Sequence, residues 1–150
     1  MPQSFVCLNY HLIFATKGRE PLLSDAMRPR LFEYVGGILR AGRSRLVAAG
    51  GMPDHTHWLV SLHQQTSVAE ALRQIKASSS KWIHEQYPEM SHFAWQAGYG
   101  AFAVSYSNLG TVETYIRGQA DHHRTTTFQE EYLAFLKRHG IAFDERYLWD

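Results

Sequence analysis

The chain has 150 residues, 15 Lys and Arg against 14 Asp and Glu, and nine His, for a formal charge of +1. That length suits a single domain over residues 1–150, with a core that needs neither disulfides nor a structural metal. No apolar run reaches the roughly 20 residues of a membrane span and the start lacks a signal peptide's basic region and cleavage site, while near-neutral charge means that any contact with nucleic acid must be local rather than a field of the whole molecule.

In chain order, Cys7 stands alone. No internal disulfide can form, a reducing cytoplasm is the natural setting, and a small buried thiol is expected. "LNYHLIFATK" reads as a first strand, rich in β-branched and aromatic residues. After the loop "GREPLLSD", Ser24 and Asp25 are the caps for a helix through "AMRPRLFEYVGGILRAG", with Pro29 in its first turn. Leu31, Tyr34, Val35, Ile38 and Leu39 keep helical spacing. "SRLVAAGG" and "HTHWLVSL" are two short strands broken by Gly-Met-Pro-Asp, so they pair antiparallel. Thr66 or Ser67 then caps a long helix, "SVAEALRQIKASSSKWIHEQYP", whose inner stripe is Val68, Leu72, Ile75, Ser79 and Trp82 or Ile83. "GYGAFAVSYS" is a fourth strand, "NLGTVETYIRGQADHH" a third helix, and "TTFQEEYLAFLKRHG" a fourth with Gly140 as C-cap. The order β-α-β-β-α-β predicts an α+β, ferredoxin-like antiparallel sheet with helices packed on one face, plus C-terminal helices. The second face is left for a ligand or a further helix.

Within "MPDHTHWLV" two imidazoles stand one residue apart. Side chains two apart on a strand project together, so His55 and His57 share a face and Thr56 points the other way. The pair is either half of a metal site or two ordinary polar positions at a strand start. Tyr115 and Gln119 are four apart, one helical turn, with His122 and His123 on or near the same stripe. A Gln oxygen suits a hard ion such as Mg²⁺ or Mn²⁺, and two imidazoles plus an amide would leave coordination sites open for phosphate. Asp54 either orients one imidazole or simply makes the turn. Tyr115 is either a nucleophile or a half-buried helix residue. A free phenol, with pKa about 10, is ionised to about one part in a thousand at neutral pH, a deficit of roughly 4 kcal/mol. A metal that neutralises a phosphate returns several kcal/mol of it.

The joint pattern of "YHLIFATK", "MPDHTHWLV", "WQAGYGAFAVSYS", "YIRGQADHH" and "FQEEYLAFLKRHGI" through "DERYLW" resembles the single-tyrosine transposases of the His-hydrophobic-His endonuclease class, the insertion-sequence 200-like and REP-associated enzymes. The resemblance runs in order over nearly the whole chain. It implies that His55, His57 and Gln119 hold a divalent metal, Mg²⁺ or Mn²⁺, and that Tyr115 attacks single-stranded DNA to leave a 5′-phosphotyrosine and a free 3′-OH, without ATP. It also implies a homodimer, commonly with the tyrosine helix of one subunit completing the other's site, that recognises DNA hairpins. Thr56 departs from the usual apolar residue; because it faces away from the metal, the expected consequence is in packing.

Phosphate contacts are assigned to Lys17 and Arg19, to Arg40, Arg43 and Arg45, and to Arg73, Lys76 and Lys81 on the long helix. Trp58, Trp95 and Tyr99 are aromatic candidates for stacking on unpaired bases, with Trp58 also suited to the core. Two rival readings are a catalytically inactive or domesticated single-strand-binding module and a metal hydrolase with water as nucleophile and His122 or His123 as an extra ligand.

Overall fold

A computed structural model describes residues 3–150. Four strands, β1 (Asn9–Ala15), β2 (Arg45–Met52), β3 (His55–Ser61) and β4 (Gly100–Ala103), form one sheet in the order β2-β3-β1-β4. Every neighbouring pair is antiparallel. This is the ferredoxin-like sheet that the element order predicted. Among the described residues no helix is long and apolar enough to cross a membrane.

One face of the sheet carries Leu12, Phe14, Trp58, Val60 and Leu62 against α1 (Met27–Ala41) and α2 (Val68–Gln86). The inward stripe of α1 is Met27, Leu31, Val35 and Leu39, four residues apart, which keeps one side of a 3.6-residue helix against the sheet. Its first turn is satisfied by Ser24, whose Oγ accepts the Met27 N–H at 3.2 Å. Helix α2 starts where Ser67 Oγ accepts the Glu70 N–H at 3.1 Å, and it buries Ala71, Leu72, Ile75, Ser79 and Ile83.

The opposite face is covered by α3 (Leu109–Arg117), α4 (Gln119–His122) and α5 (Phe128–Arg138), packed on Ile13, Ala15, Ala48, Leu59 and Phe102. Helix α5 opens with a reciprocal cap. Thr127 Oγ1 accepts the Glu130 N–H at 3.2 Å, and Glu130 Oε1 accepts the Thr127 N–H at 3.4 Å.

The sequence expectations are corrected in three places. The third helix is two, because Gly118 leaves helical geometry (φ −92°, ψ 20°) after donating its N–H to the Thr114 carbonyl. The fourth strand is only four residues long: upstream, the Gly98 N–H goes to the Asp150 carbonyl, and downstream Tyr106–Asn108 turn into a 3-10 helix. Cys7 is exposed rather than buried, since it precedes the first strand, and its Sγ accepts from Asn9 Nδ2 at 3.1 Å.

One glycine sets where α3 sits. A Cβ on Gly50 would lie 2.0 Å from the Ile116 carbonyl oxygen, so the end of α3 rests directly on the backbone of β2. Gly50 is paired with His57 in the sheet. The tyrosine helix is therefore seated beside the histidine strand of its own chain.

Candidate active site

His55 and His57 on β3, and His11 on β1, all face the α3–α5 layer, with side chains almost wholly buried. Each ring is fixed by its second nitrogen. His55 Nδ1 lies 2.7 Å from Asp54 Oδ1, and His57 Nδ1 lies 2.8 Å from His11 Nε2. Their Nε2 atoms point at the helices: His55 Nε2 is 3.3 Å from Gln119 Oε1, and His57 Nε2 is 2.9 Å from Glu131 Oε1. Thr56 faces the other core, where its hydroxyl donates to the Phe14 carbonyl at 3.3 Å and accepts from Trp58 Nε1 at 2.8 Å. At this position a hydroxyl does a packing task and leaves no buried donor unpaired.

From the helices, Tyr115, Gln119, His122, His123 and Glu131 converge on the same place. His123 Nε2 lies 3.0 Å from Gln119 Oε1 and 3.2 Å from Glu131 Oε1, while its Nδ1 is 2.6 Å from the Thr126 carbonyl. The Tyr115 hydroxyl donates to Glu131 Oε2 and lies 3.2 Å from His122 Nε2. The Tyr115 and His57 rings are 5.9 Å apart, edge to face. One ligand-type atom from each of His55, His57, His123 and Glu131 falls within 4.8 Å of the others. All these groups belong to one chain.

Burial sets the protonation states. It lowers His11 to about 3 and His57 to about 4; for His57 the loss of water outweighs the opposing pull of Glu131. His123 is lowered for the same cause. For Glu131 burial pushes upward, yet the hydrogen bond and charge of His57, followed by Tyr115, bring it well below the ordinary carboxylate range. Tyr115 moves far above a free phenol, first through burial and then through the neighbouring carboxylate. His57 and His123 are thus neutral and Glu131 ionised at neutral pH, the protonation states that a divalent cation requires.

The predicted cations are scattered. Arg19 lines a cavity of about 610 Å³ with Asp54, His55, His123 and Arg124, and its guanidinium sits over Trp149 at 5.5 Å. Lys17 lies in the same turn, directly after β1. Arg43 and Arg45 are at the far end of the sheet, where Arg45 pairs with Ser61, six residues and about 20 Å along β3 from His55. Arg40 is exposed in the last turn of α1, close to that end. Arg73 and Lys81 lie on α2, across the sheet from the site, next to Glu70 and Glu85. Lys76 is spoken for: its ammonium donates to the carbonyls of Gln96, Ala97 and Gly98 at 2.8, 3.2 and 2.8 Å, and burial lowers it to about 8. Tyr99 is 43% exposed beside it. Trp58 and Trp95 are core residues, the latter donating to Ser79 Oγ at 3.0 Å.

Sequence reasoning passed over His11, Glu131, Arg124 and Arg138. Glu131 had a signal, since it is a carboxylate on the apolar stripe Phe128, Tyr132, Phe135 of an amphipathic helix. His11 had one too, sharing strand parity with Ile13 and Ala15, but only the register of β1 on β3 brings it to His57. Arg138 lines a second cavity, of about 390 Å³, with Tyr115, His122 and Glu131.

Known proteins bear on this geometry. A family model described as "Transposase IS200 like" matches residues 4–119. The ISDra2 transposase TnpA of Deinococcus radiodurans is 25% identical over 119 residues, which are 76% of this chain and 85% of that protein. The transposase for insertion sequence element IS200 of Salmonella typhimurium is 27% identical over 121 residues, 75% of this chain and 76% of that one. Among solved structures, a candidate transposase from Deinococcus radiodurans R1 superposes with a TM-score of 0.64 at 26% identity, covering 77% of this chain and 94% of the other. A REP-associated tyrosine transposase bound to a REP hairpin shares the fold with a TM-score of 0.60 at 15% identity, covering 82% and 73%. His122, His123 and Glu131 lie past the family match, whereas His55, His57, Tyr115 and Gln119 lie inside it. With a matching sheet, matching relatives and a family model that spans most of its length, the chain belongs to the IS200-like transposase family.

Proposed function

We propose that this transposase cuts and rejoins single-stranded DNA with Tyr115 as nucleophile, at a divalent cation, Mg²⁺ or Mn²⁺, held by His55, His57 and Gln119. The observation that carries this reading is the convergence of the Tyr115 hydroxyl with the His57 ring and Gln119 in one buried cluster. The donor set fits a divalent ion, being neutral imidazoles and uncharged or anionic oxygens. When bound, the cation polarises the phosphodiester and offsets its charge.

The chain's own residues do the rest. Tyr115 Oη forms a bond to phosphorus as the bond from phosphorus to the 3′ oxygen breaks; the phenol gives up its proton and the departing 3′ oxygen takes one. A 5′-phosphotyrosine results, and because it retains the energy of the broken link, another 3′-OH can reverse the step and join new ends. Asp54 and His11 hold the rings of His55 and His57 in the orientation that aims Nε2 at the cluster. Burial first, and then the hydrogen bond and charge of Glu131, raise the affinity of Tyr115 for its proton, and a cation beside Glu131 would offset the charge part of that rise. Arg19 and Arg124 line the larger cavity beside His55 and His123, and Arg138 lines the smaller one beside Tyr115, so these three are the cations assigned to an incoming strand. On this reading residues 1–150 form one nuclease domain acting on DNA with hairpin ends in the cytoplasm, and a homodimer carries two such sites.

The test is incubation with Mn²⁺ and a pool of labelled single-stranded hairpins with unpaired flanks. A covalent protein–DNA adduct is expected, lost with chelator and with Tyr115→Phe. Cleavage that persists in Tyr115→Phe and vanishes in His57→Ala would replace the reading with water-based hydrolysis. Chelator-insensitive hairpin binding without any cleavage would replace it with a binding module.

A further inference from the structure

The segment past the family match, Ala120 to Asp150, contributes His123 and Glu131 to the centre of the site. What these two residues do follows from where the protons are. His55 directs Nδ1 at the Asp54 carboxylate, and His123 directs Nδ1 at the Thr126 carbonyl, both pure acceptors, so each ring carries its proton on Nδ1. With a single proton per ring, their Nε2 atoms are lone pairs. They nevertheless face oxygens: His55 Nε2 meets Gln119 Oε1 at 3.3 Å and Glu131 Oε1 at 3.6 Å, and His123 Nε2 meets the same two atoms at 3.0 and 3.2 Å. Gln119 is not simply turned around, because its Nε2 is directed at the Tyr115 carbonyl, 3.4 Å away. Lone pairs aimed at lone pairs in a dry interior repel one another unless a proton or a cation lies between them, and a cation satisfies all of these atoms at once.

Other spacings agree. A divalent ion with bonds of about 2.0–2.2 Å sets its ligand atoms about 3–3.5 Å apart, and the neighbouring donors here are 2.9–3.6 Å apart. Each of the three rings that offer Nε2 has its Nδ1 supported, by Asp54, by His11 and by the Thr126 carbonyl, the arrangement that fixes metal-bound histidines. Glu131 is the single carboxylate at the centre and is almost fully buried; its Oε1 faces the rings while its Oε2 accepts from the Tyr115 hydroxyl. A bare carboxylate there would repel a phosphodiester approaching Tyr115, and a coordinated one would not.

We infer that the cation site of this chain includes His123 and Glu131 as ligands beside His55, His57 and Gln119, and that Glu131 links the cation to the nucleophile by holding the Tyr115 hydroxyl with its second oxygen. The inference rests on the metal site of the proposed function and extends it into the segment past the family match. Ligand atoms come from β3, from α4 and the residue that ends it, and from α5, so binding the ion also fastens the C-terminal helices to the sheet.

The test is Mn²⁺ binding to the intact protein without DNA, read by calorimetry and by electron spin echo, which counts coupled imidazole nitrogens. Three imidazoles are expected in wild type and two in His123→Ala, with at least about tenfold weaker binding in Glu131→Gln. The Gln variant keeps the shape of the side chain, and circular dichroism verifies its fold. Two imidazoles in wild type, or an affinity unchanged in Glu131→Gln, would overturn the inference. Three imidazoles in a protein that never forms a DNA adduct would keep this site and defeat nicking, whereas an adduct from a two-imidazole protein would do the reverse.

Discussion

At the scale of single residues, the site consists of groups that water would protonate differently. His11 and His57 are held neutral in the fold down to about pH 3 and 4, whereas in the unfolded chain each takes up a proton near its ordinary value of 6.5. Below that value the unfolded state binds more protons, so the stabilisation is full above about pH 7 and drains away as the pH falls from 6.5 towards 4. Glu131, also depressed, adds a loss in the same direction below its ordinary 4.5. The melting temperature of the metal-free protein is therefore expected to fall between pH 7 and 4, and the fall should be shallower in His11→Phe. A flat profile would show that the buried rings do not feel their burial. Lys76 is a residue whose surroundings outweigh its sequence signal. Its three carbonyl contacts predict that Lys76→Met costs about 1.5–3 kcal/mol, or about 3–10 °C in melting temperature, and leaves hairpin affinity as it was. Titration of a labelled hairpin against the two proteins checks the second half.

At the scale of elements, the seating of α3 on β2 is what brings a phenol to an imidazole strand. Gly50→Ala drives a methyl into the Ile116 carbonyl, and one of the two backbones has to give. The expected cost is about 1–3 kcal/mol, or about 3–10 °C, with loss of adduct formation greater than the loss of folded protein explains. Thermal melts and adduct yield on the same samples separate the two effects. The elements themselves were largely legible. The 3.6-residue period located the long helices, because "VAEALRQIK" buries one side and the hydrophobic spacing records it, whereas "HTHWLVS", buried on both faces, was legible from its β-branched and aromatic content after a turn cluster. What stayed hidden depends on contacts between elements. Gly118 could as well have continued a helix as ended one. The register that sets Ile13 opposite His57, and so brings His11 within 2.8 Å, is a property of two strands together. Glu131 was visible as an acid on an apolar stripe, but its partners come from β3, α3 and α4, and no local pattern names them.

At the scale of the whole molecule, the two sheet faces divide the labour. α1 and α2 close a largely apolar core around Trp58, and the opposite layer encloses the polar cluster. Because Tyr115 reaches the His57 of its own chain, the resemblance's picture of helices exchanged between subunits is not needed to complete a site. Mixing His57→Ala with Tyr115→Phe therefore should not restore adduct formation, each chain lacking one half of its own centre. Recovery in the mixture to a sizeable fraction of wild type would mean that the helices exchange. The most direct measurement on the central claim is mass spectrometry of the covalent adduct formed by wild-type protein with Mn²⁺ and hairpin DNA. After nuclease and protease digestion, with fragmentation fine enough to separate Tyr115 from Tyr99 and Tyr106, a 5′-linked nucleotide is expected on Tyr115 alone. A nucleotide on any other residue, or cut DNA with none attached to protein, would contradict it.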